Sequence, residues 1–156
     1  MDYFYSEKHG KKDNIWEYVA EKLEADKTLE LYLAIDSKRR KAKTSYVVTL
    51  VLYSPTLRKG AEVWFKRYVE KTSPDLFTRL WKEVEMANEW SGNIWDNLKH
   101  ILKTKDRLNV HLDLNPNPKT RSYKVYKAGL PWIASLGYTV AVKPESWACR
   151  AADHLA

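Results

Sequence analysis

Leu31-Tyr32-Leu33-Ala34-Ile35-Asp36 and Leu108-Asn109-Val110-His111-Leu112-Asp113 decide how this chain reads. Each is a short apolar run of strand length, and each ends on one aspartate. A carboxylate at the exit of a hydrophobic strand stands at the rim of a sheet. Two such strands lying side by side put both carboxylates at one rim, facing one site. Paired carboxylates on a rigid platform repel each other unless a cation lies between them. An all-oxygen ligand set of that kind suits a hard divalent ion such as Mg²⁺ or Mn²⁺. Asp113 carries further weight because Asp is disfavoured in strands. Alternation puts Val110, Leu112 and Leu114 on the opposite face, and a carboxylate on a buried face needs a partner or a metal. The plain alternative for Asp36 is a side-chain cap on a turn before Ser37.

Around these two strands the periodicity predicts a mixed α/β domain. Residues 1–13 are polar and read as a loose N-terminal arm. Asn14 with Glu17 three residues on has the form of a capping box, and Ile15, Tyr18, Val19 and Leu23 recur at helical spacing to about Ala25. The first strand covers residues 30–36. A second, residues 44–53, follows so closely that the two form an antiparallel hairpin. A third covers 61–69. Ser73-Pro74 opens a helix whose stripe is Leu76, Leu80, Val84 and Ala87, and Ser91-Gly92 breaks it before a second piece with Ile94, Leu98, Ile101 and Leu102. Strand 108–114 ends at Asn115-Pro116-Asn117-Pro118, where a ladder cannot continue. Helix 119–135 contains Pro131, which should kink or shorten it. Strand 136–142 and helix 146–155 close the order. Strand–helix–strand units take a right-handed parallel crossover, so the expected sheet has five strands, three antiparallel and then two parallel. Residues 14–156 make one domain of ordinary size.

The composition narrows the chemistry. Net charge is +7 over 156 residues, which favours an anionic partner, nucleic acid first. A solvated lysine-rich surface is the bland alternative. The 7 Trp and 10 Tyr serve core and rim packing, with base stacking as the functional alternative. The single Cys149 excludes an internal disulfide framework and a cysteine zinc site, and is compatible with a reducing cytoplasm. The opening residues lack a signal pattern. No apolar run approaches the roughly 20 residues that cross a bilayer. Five scattered glycines form no phosphate loop, which argues against an ordinary ATPase.

Basic residues gather beside both aspartates. Lys38, Arg39, Arg40 and Lys41 follow Asp36, and Lys119, Arg121 and Lys124 follow the Asp113 end. They read either as solvated turns or as a grip on a phosphate backbone, which makes binding salt-sensitive. His111 shares a face with Asp113. It reads first as a hydrogen-bonded structural histidine and second as a proton shuttle or metal partner. Asn115 continues that face, as a loop cap or a phosphate ligand. Trp147 reads as packing for the last helix.

The order βββαβαβα, with an Asp on the first strand and another on the fourth, resembles the ribonuclease H-like fold. The strings AIDSK, RLWKEVEMA, VHLDLNPNPKTRS and VKPESWACRAADHL are similar to those of the YkuK-type family of bacterial proteins, read as ribonuclease H-like nucleases. The likeness covers about residues 12–156. It implies four carboxylates, on the first strand, first helix, fourth strand and last helix. Carried over, these are Asp36, Glu83, Asp113 and Asp153. Glu85 is the rival to Glu83, which lies three residues after Leu80 and so flanks the buried stripe. Taken alone, Asp153 reads equally as a solvent-facing helix residue. The resemblance implies a phosphodiesterase using two Mg²⁺ or Mn²⁺ ions, with Asp36 bridging them and RNA or DNA as substrate. Two rival readings stand beside it. One is a non-catalytic nucleic-acid-binding module on the same fold. The other is an interaction domain whose basic face meets an acidic partner.

Overall fold

The computed structural model describes residues 3–72 and 74–155, and the side chains of these except 59, 60 and 153–155. The elements are β1 (Phe4–Ser6), β2 (Gly10–Lys12), α1 (Ile15–Ala25), β3 (Glu30–Arg40), β4 (Lys43–Ser54), β5 (Lys59–Glu70), α2 (Leu76–Leu102), β6 (Leu108–His111), α3 (Tyr123–Ser135), β7 (Thr139–Ala141) and α4 (Ala148–Leu155). They build one mixed sheet of order β2-β1-β5-β4-β3-β6-β7. The β1–β2, β1–β5, β5–β4 and β4–β3 pairs are antiparallel, and β3–β6 and β6–β7 are parallel. This is the expected class with seven strands in place of five.

Alternation along β3 sorts the two faces. Leu31, Leu33 and Ile35 join Val19 and Leu23 of α1, Leu80, Val84, Ile94 and Leu98 of α2, and Val125 and Ile133 of α3 in the main core. Tyr32 and Ala34 face the other way, against Ala148, Cys149 and Ala152 of α4. Three helices therefore cover one face, and the small residues of α4 let it lie close on the other.

The two additional strands come from the expected arm. Residues 4–12 are a hairpin, not a loose segment. Phe4 is buried edge-on against Trp16 and Trp90, with ring centroids 6.2 and 5.6 Å away. Tyr5 meets Phe65 of β5 at 5.5 Å. Two adjacent aromatics thus fix a short polar segment to the sheet edge.

Other boundaries shift for local reasons. The α1 cap is as expected, with Asn14 Oδ1 accepting the Glu17 N–H at 3.3 Å. α2 starts later than Ser73-Pro74, because Asp75 is its cap and accepts the Thr78 N–H at 2.7 Å. It is one continuous helix through Ser91-Gly92. Leu80, Val84, Ala87, Ser91, Ile94, Leu98 and Leu102 make a single buried stripe at three- and four-residue steps. The Ser91 hydroxyl donates to the Asn88 carbonyl at 3.0 Å. One glycine costs about 1 kcal/mol in a helix, less than losing the burial of the stripe's second half. α3 begins at Tyr123 rather than 119, so Lys119 and Arg121 lie in the loop before it. Pro131 sits inside α3 without ending it.

Gly129 is where α3 comes closest to the core. A Cβ there would stand 3.2 and 3.3 Å from the Val84 methyls. Gly129→Leu is therefore expected to cost at least about 2 kcal/mol by overpacking, read as a lower urea midpoint at unchanged slope.

Candidate metal centre

β3 does not stop at Asp36. It runs on to Arg40, paired residue for residue with β4, and turns at Lys41-Ala42 with Lys41 at φ 58°. β6 stops at His111, whose partner is Ala34. Asp36 and Asp113 each lie two residues past that last pair, so the parallel register sets them side by side where β6 leaves β3. The chain beyond β6 stays extended along β7, with the Leu112 N–H donating to the Ala141 carbonyl and the Lys143 N–H to the Leu114 carbonyl. An opening outside the carboxyl ends of parallel strands is the usual place for a site in such sheets.

A third carboxylate enters from α2. Asp36, Glu83 and Asp113 each offer an oxygen within 4.8 Å of the others. Asp36 is 4 % and Glu83 6 % exposed. Glu85, the rival position, is exposed. The Ser37 hydroxyl donates to Glu83 Oε2, tying β3 to α2. Burial, and then the charges of Asp36 and Asp113, hold the Glu83 carboxyl well above the usual carboxylate range, while Ser37 and Arg79 act in the opposite sense. A cluster that strains one member toward protonation in this way is short of positive charge. Three oxygen donors around such a deficit fit a hard divalent cation.

Asp113 is the most open member, with a side chain 27 % exposed, and Lys143 Nζ lies 2.9 Å from its Oδ1. That hydrogen bond raises the Lys143 ammonium above the ordinary lysine value. Two recesses flank the pair. One, of about 710 Å³, includes Asp36, Glu83 and Asp113 in its wall together with Lys38, Arg39, Arg79, Lys119, Arg121 and Lys143. The other, of about 810 Å³, runs from Asp113 and Asn115 past Lys143 to Cys149 and Arg150. Four of the seven basic residues singled out in the sequence thus line the acidic site. Arg40, Lys41 and Lys124 are exposed but do not line it.

The remaining candidates separate. His111 Nδ1 accepts the Ala148 N–H at 3.1 Å and so caps α4. Burial pushes its pKa down to about 4, and it is neutral at pH 7. Trp147 packs among Tyr32, Tyr53 and His111, with centroids 4.6 to 5.4 Å apart. Asn115 Oδ1 accepts the Asn117 N–H at 2.9 Å, the loop-capping role. Asp153 falls in α4, one turn after Cys149, and its side chain lies outside the described residues.

Sequence reasoning missed Arg79, Lys143 and Cys149. Arg79 sits four residues before Glu83, a spacing that shares a helix face. The Cys149 thiol is buried and pushed well up by that burial, with Asp113, Glu83 and Asp36 adding to it. It is a packing group of α4 beside the cluster, kept in its unreactive form.

Among the described residues no helix is long and apolar enough to cross a membrane. No curated protein matches the chain. Among solved structures it is similar to the catalytic domain of human Endonuclease V at 13 % identity and TM-score 0.33, over 64 % of this chain and 45 % of that one. The chain therefore spans less than half of that domain, and the likeness carries no argument here. Residues 12–156 match the ribonuclease H-like family, and the chain belongs to that family.

Proposed function

We propose that the protein is a divalent-metal-dependent nuclease that hydrolyses phosphodiester bonds in RNA or DNA. The observation that carries this reading is the meeting of Asp36, Glu83 and Asp113 at one rim, inside a basic wall. These three would hold Mg²⁺ or Mn²⁺, with Asp153 of α4 as the fourth carboxylate that the family resemblance implies. The same resemblance implies two ions. Bound there, a divalent ion supplies an acidified water and offsets the charge that builds on the phosphoryl oxygens. The chain's own residues do the rest. Lys38, Arg39, Lys119 and Arg121 grip backbone phosphates and hold the scissile bond over the acidic rim. Ser37 fixes the Glu83 carboxyl. Arg79, one turn away, limits the charge that the rim carries before substrate arrives.

Within the family, the resemblance of HLDLNPNPK and KPESWA to YkuK-type strings supports assigning the chain to that branch. A single free cysteine is compatible with the reducing cytoplasm proposed for it.

The test is hydrolysis of end-labelled single strands, duplexes, hybrids and branched junctions. Cleavage is expected with Mg²⁺ or Mn²⁺ and none with a chelator. Failure to cleave any of them in either metal would leave the second reading, a non-catalytic nucleic-acid-binding module. The Lys143 ammonium on Asp113 favours that alternative, because a side-chain cation already stands on one of the three carboxylates.

A further inference from the structure

Lys143 is rooted where the site opens. Its N–H is fixed on the Leu114 carbonyl at 3.0 Å, so its Cα cannot drift from the rim. Its side chain is 50 % exposed and lies along both recesses that meet at Asp113. Its ammonium is 2.9 Å from Asp113 Oδ1. An oxygen held by an ammonium is a poor ligand for a divalent ion, since the two cations would then share one acceptor and repel. Asp36 and Glu83 are buried, whereas Asp113 is the carboxylate an incoming ion reaches from solvent.

We infer that Lys143 is the resident counter-cation of this site: its ammonium competes with the divalent ion for Asp113 and must swing away before the ion is fully held. The half-exposed stem gives the ammonium water to move into. A partly solvated Lys–Asp pair is a weak competitor, so Lys143 raises the metal concentration needed without preventing loading. In the metal-free protein it offsets part of the repulsion among the three carboxylates. Lys143 is a positioning residue in this role, acting on the rim through Asp113. The inference rests on the metal site of the proposed nuclease but not on turnover.

The experiment is Mn²⁺ titration of the full chain without nucleic acid, with free Mn²⁺ followed by electron paramagnetic resonance. Lys143→Ala is expected to tighten Mn²⁺ binding about three- to tenfold. Lys143→Arg keeps the cation and should bind within about twofold of wild type. Lys99→Ala removes the same charge from exposed helix surface, about 24 Å along α2 from Glu83, and should change binding less than about twofold. Lys143→Gln keeps most of the stem and repeats the measurement should the alanine variant fold poorly. A purely structural role for Lys143 predicts weaker binding in the alanine and glutamine variants. Weaker or unchanged binding in both overturns the inference, as does a wild-type chain that takes up no Mn²⁺ at millimolar concentration. A chain that binds Mn²⁺, shows the tightening and cleaves nothing would end the nuclease reading and leave this one standing.

Discussion

Asp36→Asn is expected to lower phosphodiester hydrolysis at saturating Mg²⁺ by on the order of 10³-fold or more, with Asp113→Asn close behind. Both changes keep the shape of the side chain and remove its charge. Asp36 is the more buried of the two, and it lies on β3, an interior strand of the sheet that pairs with β4 along its whole length. It has little freedom to be replaced by a neighbour. Asp113 borders both recesses, where water from the cleft can take the place of its oxygen. The fold should survive both substitutions, because neither carboxylate is part of the core and each variant relieves repulsion on Glu83. Circular dichroism and a urea midpoint at or above the wild-type value are therefore expected alongside the lost turnover. Mn²⁺ uptake should fall in both variants. Wild-type turnover in both would remove the metal centre from the mechanism. Lost turnover with unchanged Mn²⁺ uptake would mean that the ion is held elsewhere.

Much of this site was legible because parallel strands keep register. Once two apolar runs are strands and a helix joins them, aspartates that end each run fall at one rim. The rim itself differs from expectation in an instructive way. Asp36 reaches the rim because β6 ends, not because β3 does; the basic run expected as a turn begins instead as further residues of strand, to Arg40. Residue composition shows a charged run but not whether a partner strand is long enough to hold it, and β4 is.

The misread elements share a cause. Ser91-Gly92 looks like a break when each residue is weighed alone. The stripe from Leu80 to Leu102 keeps its phase across it, and burial along the whole face decides. The N-terminal hairpin was invisible because it is anchored through a few scattered rings: Phe4 on Trp90, Tyr5 on Phe65 and His9 on Trp64 all meet partners far along the chain. Lys143 could not be placed from spacing, because its link to Asp113 runs through β7 pairing and not through a helical or strand period. Glu83 over Glu85 was readable, since Glu83 lies three residues after Leu80 and flanks the buried stripe, whereas Glu85 points further into solvent.

Glu83→Gln should reverse the usual sign of a core substitution. In the metal-free chain the Glu83 carboxyl is raised by burial and by Asp36 and Asp113. The unfolded chain ionises it near the model value of 4.5. Below that pH both states hold the proton and the folded state loses nothing. As pH rises from there, the unfolded state gains by ionising first, so stability is lost progressively until the folded carboxyl also ionises. His111 acts in the opposite sense at lower pH. Its folded pKa of about 4 lies under the ordinary 6.5, so its contribution is present above 6.5 and lost as pH falls toward 4. The two groups therefore give stability slopes of opposite sign. Without metal at pH 7 to 8, Glu83→Gln should be more stable than wild type by on the order of 1–2 kcal/mol, as expected when a strained functional group is relieved. That corresponds to a rise in Tm of about 2–8 °C for a chain of this size. Saturating Mg²⁺ should do the same for wild type, by about 2.7 kcal/mol at a hundredfold excess over Kd, and much less for the variant. Thermal unfolding at pH 5 to 8, with chelator and with Mg²⁺, reads all of these at once. A variant less stable than wild type in chelator at pH 8 would show that Glu83 is there to hold β3 to α2 through Ser37. A metal-induced rise as large in the variant as in wild type would place the bound ion away from Glu83.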